Sequence, residues 1–223
     1  MKDSTSFLLR LVKRFSLAMR GRRFKLFKEL AGLLPKPLSI LDIGGTVEFW
    51  EKSGWVGKED VLITTINIRP DNKKYTNIDP RVGDARDLSE YADASFDIVF
   101  SNSVIEHLST FKEQEAMARE VARIGRSYWV QTPNYWFPLE PHFLVPGWQW
   151  MPERIRILIL CSVACSWYGK YSDPEKAKCK AYAVRLLKHN ELRNLFPGAK
   201  IVPERFLGLA KSWIVLGGRF SGR

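Results

Sequence analysis

The sequence predicts an α/β fold built on a mostly parallel sheet, and three observations predict it. From residue 38 onward, apolar strand-like runs alternate with helix-like segments. The first strand ends in a paired-glycine turn, "SILDIGGTVEFW", residues 39–50. Near the C-terminus two strand-like runs are joined by a short link, which suits an antiparallel closing pair.

The elements follow in order. Ile40, Leu41 and Ile43 end a buried strand, 39–43, and Gly44 and Gly45 let the backbone turn sharply, either to approach a ligand or as an ordinary tight turn. Thr46 caps a short helix over about 46–53. Strand two is "VLITTINI", 61–68, and a short third strand precedes "GDARDL", 83–88. Strand four, "FDIVFSN", 96–102, leads to a long helix with Thr110 and Glu113 as a capping box and Gly125 as its stop. Strand five is "SYWVQT", 127–132, and "AKIVPERFLG" and "SWIVLGGRF" supply the last two strands. Between strand five and that pair lie about 65 residues, too many for a simple crossover. This insertion, at about 133–198, opens rich in proline and aromatics, including Tyr135, Trp136, Phe143, Trp148 and Trp150. A long aromatic loop at the carboxyl end of a parallel strand is placed to wall a substrate site, or else to cover the sheet edge.

Composition bounds the function. The chain has 223 residues, 45% of them hydrophobic, enough for a sizeable core. Its apolar runs fall short of the ~18 residues of a membrane span; the nearest, 155–169, is interrupted by Arg156. The N-terminus is too charged for a secretory signal. Cys161, Cys165 and Cys179 form no CxxC pair and have no histidine at finger spacing, so buried free thiols are expected rather than a disulfide, and no metal site is expected. The net charge of +11 is concentrated: residues 1–36 hold ten Lys/Arg against two acids. The domain division is therefore a basic amphipathic helical arm, 1–37, and a domain over 38–223. In the arm, Leu8, Leu11, Val12, Phe15, Ala18 and Met19 recur at helical spacing, Gly21 interrupts, and Phe24, Leu26, Phe27 and Leu30 make a second stripe. Such an arm packs on the domain, or lies on an anionic membrane surface through residues 1–30, or serves nucleic acid or organelle targeting.

Four landmarks in order, "LDIGGT", "INIRP", "GDARDL" and "FDIVFSNSVIEHL", resemble the class I S-adenosylmethionine-dependent methyltransferases. The "TPNYWFPLEPH" run and the segment "LLKHNELRNLFPGAKIVPERFLGLAKS" are similar to a methyltransferase-domain subgroup associated with bacterial saccharide and envelope biosynthesis. The resemblance covers about residues 38–219. It implies a Rossmann-like, mostly parallel seven-stranded sheet with helices on both faces and an antiparallel C-terminal strand. It implies S-adenosylmethionine as cofactor. On that pattern Asp42 holds the cofactor's ammonium directly or through water, Gly44, Gly45 and Thr46 pass close to its methionine part, and Asn67 meets the ribose. Asp84 and Ala85 meet the adenine, and Asn102 and Ser103 lie beside the sulfonium. The chain departs from the pattern twice. Asn67 replaces the usual acid and so lacks a charged acceptor for the diol, and Thr46 and Glu48 stand where later glycines are usual.

Transfer to an alcohol benefits from a base near neutral pKa. His142 in "LEPHFL", His107 in "SVIEHL" and Glu140 are the catalytic candidates, with Glu106 as another base and His189 read as a helix cap. The loop after strand four lacks the Pro-Pro-aromatic motif of base-amine methylation, which disfavours nucleic acid. The expected activity is methyl transfer to an oxygen of a small-molecule, saccharide or lipid-linked acceptor. An RNA-directed methyltransferase or RNA-binding module using the arm, and a catalytically inactive methyltransferase-like binding protein, are the alternatives. The expected location is cytoplasmic, peripheral on the inner membrane face if the arm binds lipid.

Overall fold

The structure, a computed structural model, describes residues 19–69, 71–163 and 169–222. A helix α1 covers 19–32 and leads into β1 (Leu38–Ile43), α2 (Val47–Lys52), β2 (Val61–Asn67), β3 (Ile78–Val82) and β4 (Ile98–Asn102). Then come α3 (Phe111–Ile124), β5 (Ser127–Pro133), α4 (Glu153–Ser162), α5 (Pro174–Tyr182), α6 (His189–Leu195), β6 (Lys200–Phe206) and β7 (Leu209–Gly218). The strands form one seven-stranded sheet in the order β3-β2-β1-β4-β5-β7-β6. The first five are parallel, and β7 runs antiparallel to both β5 and β6. This is the predicted sheet. The order changes direction between β1 and β4, so the carboxyl ends of β1 and β4 open the crevice in which such folds bind ligands.

Central strands are apolar on both faces because helices cover both. Leu38 and Ile40 of β1 pack with Phe27, Leu30, Trp50, Trp55, Phe100 and Trp129 on the side of α1 and α2. Leu41 and Ile43 pack with Met117, Val121, Leu192 and Leu195 on the side of α3 and α6. The predicted capping box of α3 is present: Thr110 Oγ1 accepts from Glu113 N at 3.2 Å, and Thr110 N donates back to Glu113 at 3.0 Å.

The described half of the basic arm is part of this core. Phe27 and Ala31 are fully buried, and Arg20, Arg22, Lys25 and Lys28 face outward. The apolar stripe at Phe24, Phe27 and Leu30 therefore faces the sheet. Gly21 does not interrupt α1, because a single glycine weakens a helix by only about 1 kcal/mol and the packed face holds it. The stripe from Leu8 to Ala18 lies outside the described residues.

The insertion forms a cap with its own small core. Phe143 stacks on Trp148 at 4.0 Å between ring centres, and Leu160, Ala177 and Ala181 close around them. Ala177 and Ala181, one helical turn apart, turn inward and leave Cys179 exposed. Cys161 is half-buried and Cys165 lies outside the described residues. His189 is the first residue of α6 rather than its cap. The preceding Lys188 takes that position, its N–H donating to Glu191 at 2.8 Å. Among the described residues, no helix is long and apolar enough to cross a membrane.

Candidate active site

The paired-glycine turn is shaped by contacts on both sides. Gly44 has φ +75°, and its N–H donates to Ile66 O. A Cβ there would lie 2.4 Å from Val104, so the loop after β4 is packed directly against the turn. A Cβ on Gly45 would lie 1.7 Å from an Asp42 carboxylate oxygen. Thr46 caps α2 as expected, accepting from Phe49 N at 3.3 Å.

Asp42 lies beneath the turn, 1% exposed, and accepts a 2.7 Å bond from Trp50 Nε1. Burial pushes its carboxyl up to about 8, against the lowering effect of the Trp50 bond. The folded protein therefore holds a proton that the unfolded chain releases near pH 4, and stability falls as pH rises from about 4 to about 8. Asp42→Asn is expected to flatten that dependence. Thermal unfolding should show the variant gaining on the wild type at pH 9, with little difference at pH 4. Equal pH profiles would exclude Asp42 as the titrating group.

Beyond the turn lies a cleft of about 410 Å³, walled by Gly45, Thr46, Asn67, Arg69, Asp71 and Arg81 among others. Asn67 Nδ2 donates to the carbonyls of Gly44 and Gly45 at 3.3 and 3.4 Å, which ties the end of β2 to the turn. Asp71, which sequence reasoning missed, accepts from Val47 N at 3.0 Å and stands in the same wall. Its only signal was an acid four residues past Asn67. An amide and a carboxylate in one wall beside a glycine turn offer acceptors for a ribose diol and for an ammonium group.

Of the other predicted cofactor residues, Asp84, Ala85, Asn102 and Ser103 do not line this cleft. Gly83 N donates to Asn67 O at 3.1 Å, so "GDA" starts beside the cleft. The Asp84 carboxylate pairs with Arg86, which holds it below the usual carboxylate range. Ala85 is half-buried against the α3 side of the core. Asn102 Oδ1 accepts from Arg23 Nη1 at 2.6 Å. Ser103 has φ +59° and donates to Gln131 Oε1 at 2.8 Å. Arg23 is itself buried; it bonds Gln131 and pairs with Glu204 at 2.8 Å. Nothing in the sequence set this arginine apart from the rest of the basic arm.

The catalytic candidates converge, although they come from two segments. Glu106 and His107 sit on a 3-10 turn, Ile105–His107, after β4, and Glu140 and His142 on the cap loop. His142 Nδ1 lies 2.6 Å from Glu140 Oε1, and the other Glu140 oxygen accepts from the backbone N–H groups of His142 and Phe143. The His107 and His142 rings meet edge to face at 4.8 Å. Glu106 is fully buried; Oε2 accepts from Thr132 at 3.0 Å and Oε1 has no partner among the described residues. Burial pushes Glu106 up to about 7, against the charge of His142. Burial, then the charge of His142, pushes His107 down to about 4. Burial alone would lower His142, but the bond and charge of Glu140 lift it above its ordinary value. His189 lies apart, against Trp213.

Glu140 also walls a cavity of about 300 Å³ under the cap, with Tyr135, Trp148, Gln149, Arg156 and Arg185. Arg156 Nε and Gln149 Oε1, on two of the lining residues, are buried without hydrogen-bond partners among the described residues.

Residues 58–127 match the family model described as "Methyltransferase domain". Two uncharacterized proteins from strains of Mycobacterium tuberculosis are 45% identical over 51 residues; the match covers 23% of this chain and 17% of theirs. The N-terminal domain of EvdMO1, solved in the presence of SAH and D-fucose, aligns with TM-score 0.53 at 18% identity, covering 88% of this chain and 81% of that one. A complex holding the Trm112 methyltransferase activator of Haloferax volcanii contains a chain that aligns with TM-score 0.51 at 13% identity, covering 90% of this chain and 92% of that one. The chain thus has the Rossmann-like fold of the S-adenosylmethionine-dependent methyltransferases and carries a stretch of their methyltransferase-domain sequence.

Proposed function

We propose that this protein is an S-adenosylmethionine-dependent methyltransferase acting on an oxygen of a saccharide-like or lipid-linked small molecule. The observation that carries the reading is a juxtaposition. The glycine-turn cleft and the Glu106–His107–His142–Glu140 cluster both lie past the carboxyl ends of the parallel strands, joined through Val104, which packs on Gly44 two residues before Glu106. When bound, S-adenosylmethionine supplies an electrophilic methyl group on a sulfonium. In this chain the Gly44–Gly45 turn, Asn67 and Asp71 would hold the cofactor, with Asp84 at the adenine end. Ser103 and Asn102 shape the wall after β4.

The cap supplies the acceptor side. Tyr135 offers a flat face to a sugar ring, and Gln149, Arg156 and Arg185 in the cavity wall suit its hydroxyls. The cap also shelters the acceptor, and the cluster at its edge lowers the cost of removing the acceptor proton. The outward basic face of α1, at Arg20, Arg22, Lys25 and Lys28, supports an anionic membrane surface as the place where a lipid-linked acceptor is met.

Calorimetric titration with S-adenosylhomocysteine tests the reading first, and micromolar binding is expected. Asp84→Ala should weaken that binding by about 1–3 kcal/mol if the carboxylate bonds the adenine amine. An unchanged dissociation constant would leave Asp84 only its pairing with Arg86. No binding by the folded wild-type chain would reject the methyltransferase assignment itself.

A further inference from the structure

We propose that Glu106, His107 and His142 together hold a divalent transition-metal ion beside the cap cavity. One ligand atom from each of the three lies within 4.8 Å of the others. Tetrahedral ligands ~2.1 Å from a zinc ion stand ~3.4 Å apart, so small side-chain rotations close the set. The set was invisible in the sequence because its spacing, two adjacent residues and one 35 positions later, matches no linear ligand motif. The sheet and the cap loop create it.

Three further observations point to a ligand here. Glu106 is fully buried with Oε1 unpartnered among the described residues, a costly arrangement for a carboxyl. His142 has its Nδ1 committed to Glu140 at 2.6 Å, which leaves Nε2 for an ion. Glu140 is in turn fixed by two backbone N–H groups, so the carboxylate–imidazole pair is oriented in advance. The His107 ring meets the His142 ring edge to face at 4.8 Å, so the two imidazoles already stand side by side. Imidazoles whose second nitrogen is held by a carboxylate or a carbonyl are how proteins present metal ligands. Glu140 is then a positioning group.

Two imidazoles and one carboxylate suit Zn²⁺ or Mn²⁺ better than Mg²⁺, which takes oxygen ligands. Three protein ligands leave positions open. Glu140 borders both the cluster and the cavity, so an acceptor oxygen can take one of them. A coordinated hydroxyl is a stronger acid, and its proton passes to water. That last clause rests on the methyltransferase reading, but the metal site does not.

The test uses the full chain, stripped with a chelator and dialysed. Calorimetric titration should find one Zn²⁺ or Mn²⁺ site per chain and much weaker Mg²⁺ binding. Glu106→Gln and His107→Ala should abolish the site, and Glu140→Gln should weaken it by about 10–100-fold. S-adenosylhomocysteine binding, measured in parallel, should be unchanged in all three. It also shows that each variant is folded and separates failure of the metal site from failure of the cofactor reading. The Co²⁺ form of the wild-type chain gives a readout that needs no variant: its visible spectrum should show nitrogen and oxygen ligation. No ion bound by the folded wild type, undiminished affinity in the variants, or a thiolate charge-transfer band in the Co²⁺ form would each overturn the proposal.

Discussion

Arg23→Ala is expected to lower the unfolding free energy by about 3–5 kcal/mol, the usual result of stripping one partner from a buried ion pair. Arg23 and Glu204 are each under a tenth exposed and meet through two contacts, at 2.8 and 3.0 Å. Arg23 Nη1 also serves Asn102 and Gln131, both at 2.6 Å. Without the guanidinium, Glu204 would keep its hydrogen bond from Ser212 but lose its buried charge partner, and the carbonyl oxygens of Asn102 and Gln131 would lose a shared donor. Denaturant titration of the variant checks the magnitude. The pair Arg23→Met with Glu204→Gln removes both charges and should recover much of the loss. A single variant as stable as the wild type would show that α1 docks through Phe27 and its apolar neighbours alone. The effect should extend to the site, because Asn102 and Gln131 lie at the ends of β4 and β5, and Gln131 also anchors Ser103.

Gly45→Ala should abolish detectable S-adenosylhomocysteine binding and destabilise the fold by at least about 1–3 kcal/mol, the scale of an overpacked core. The new methyl would lie 1.7 Å from Asp42 Oδ2 and 2.1 Å from Asp42 Cγ. That carboxyl cannot swing aside, since Trp50 Nε1 holds it at 2.7 Å and it is sealed from solvent. The turn must therefore lift, which moves the carbonyls of Gly44 and Gly45 away from Asn67 and reshapes the cleft wall. A second substitution tests the cause: Asp42→Ala in the Gly45→Ala background should restore part of the stability, because the colliding atoms are gone. Thermal melts of the two variants, with cofactor titration, give the comparison. No rescue would place the strain elsewhere in the turn. Gly44→Ala should fail by a different route, through its positive φ and the contact with Val104, so Asp42→Ala should not help it.

Local signals decided most of the frame. The apolar runs that became β1, β2, β4 and β5 are legible because buried parallel strands need continuous hydrophobic stretches. Thr110 and Glu113 announced the start of α3 because a capping box is a contact between residues three apart. Gly44 and Gly45 marked the tight turn after β1, since the demand for no side chain is written at the position that feels it. The lone histidines His107 and His142 were legible as candidates, though not as neighbours.

The rest depended on contacts between distant positions. Asp42 looked like a residue at the mouth of the strand, yet its alternation with Ile40 puts it on the face that Trp50 covers, and it ends beneath the turn. Arg23 looked like one more charge on a basic arm until α1 docked and placed it against Glu204, 181 residues away. Asp71 entered the cleft wall because the loop after β2 folds back onto the N-terminus of α2. The sequence by itself determined the order of strands and helices, the glycine turn and the types of residue available for chemistry, because those follow from neighbouring residues and periodicity. Only the tertiary structure decided that α1, the described part of the basic arm, closes the core, that the cap has a core of its own, and that Glu106, His107, His142 and Glu140 share one site. Those facts arise from long-range packing and from the burial of charge, and no local pattern encodes either.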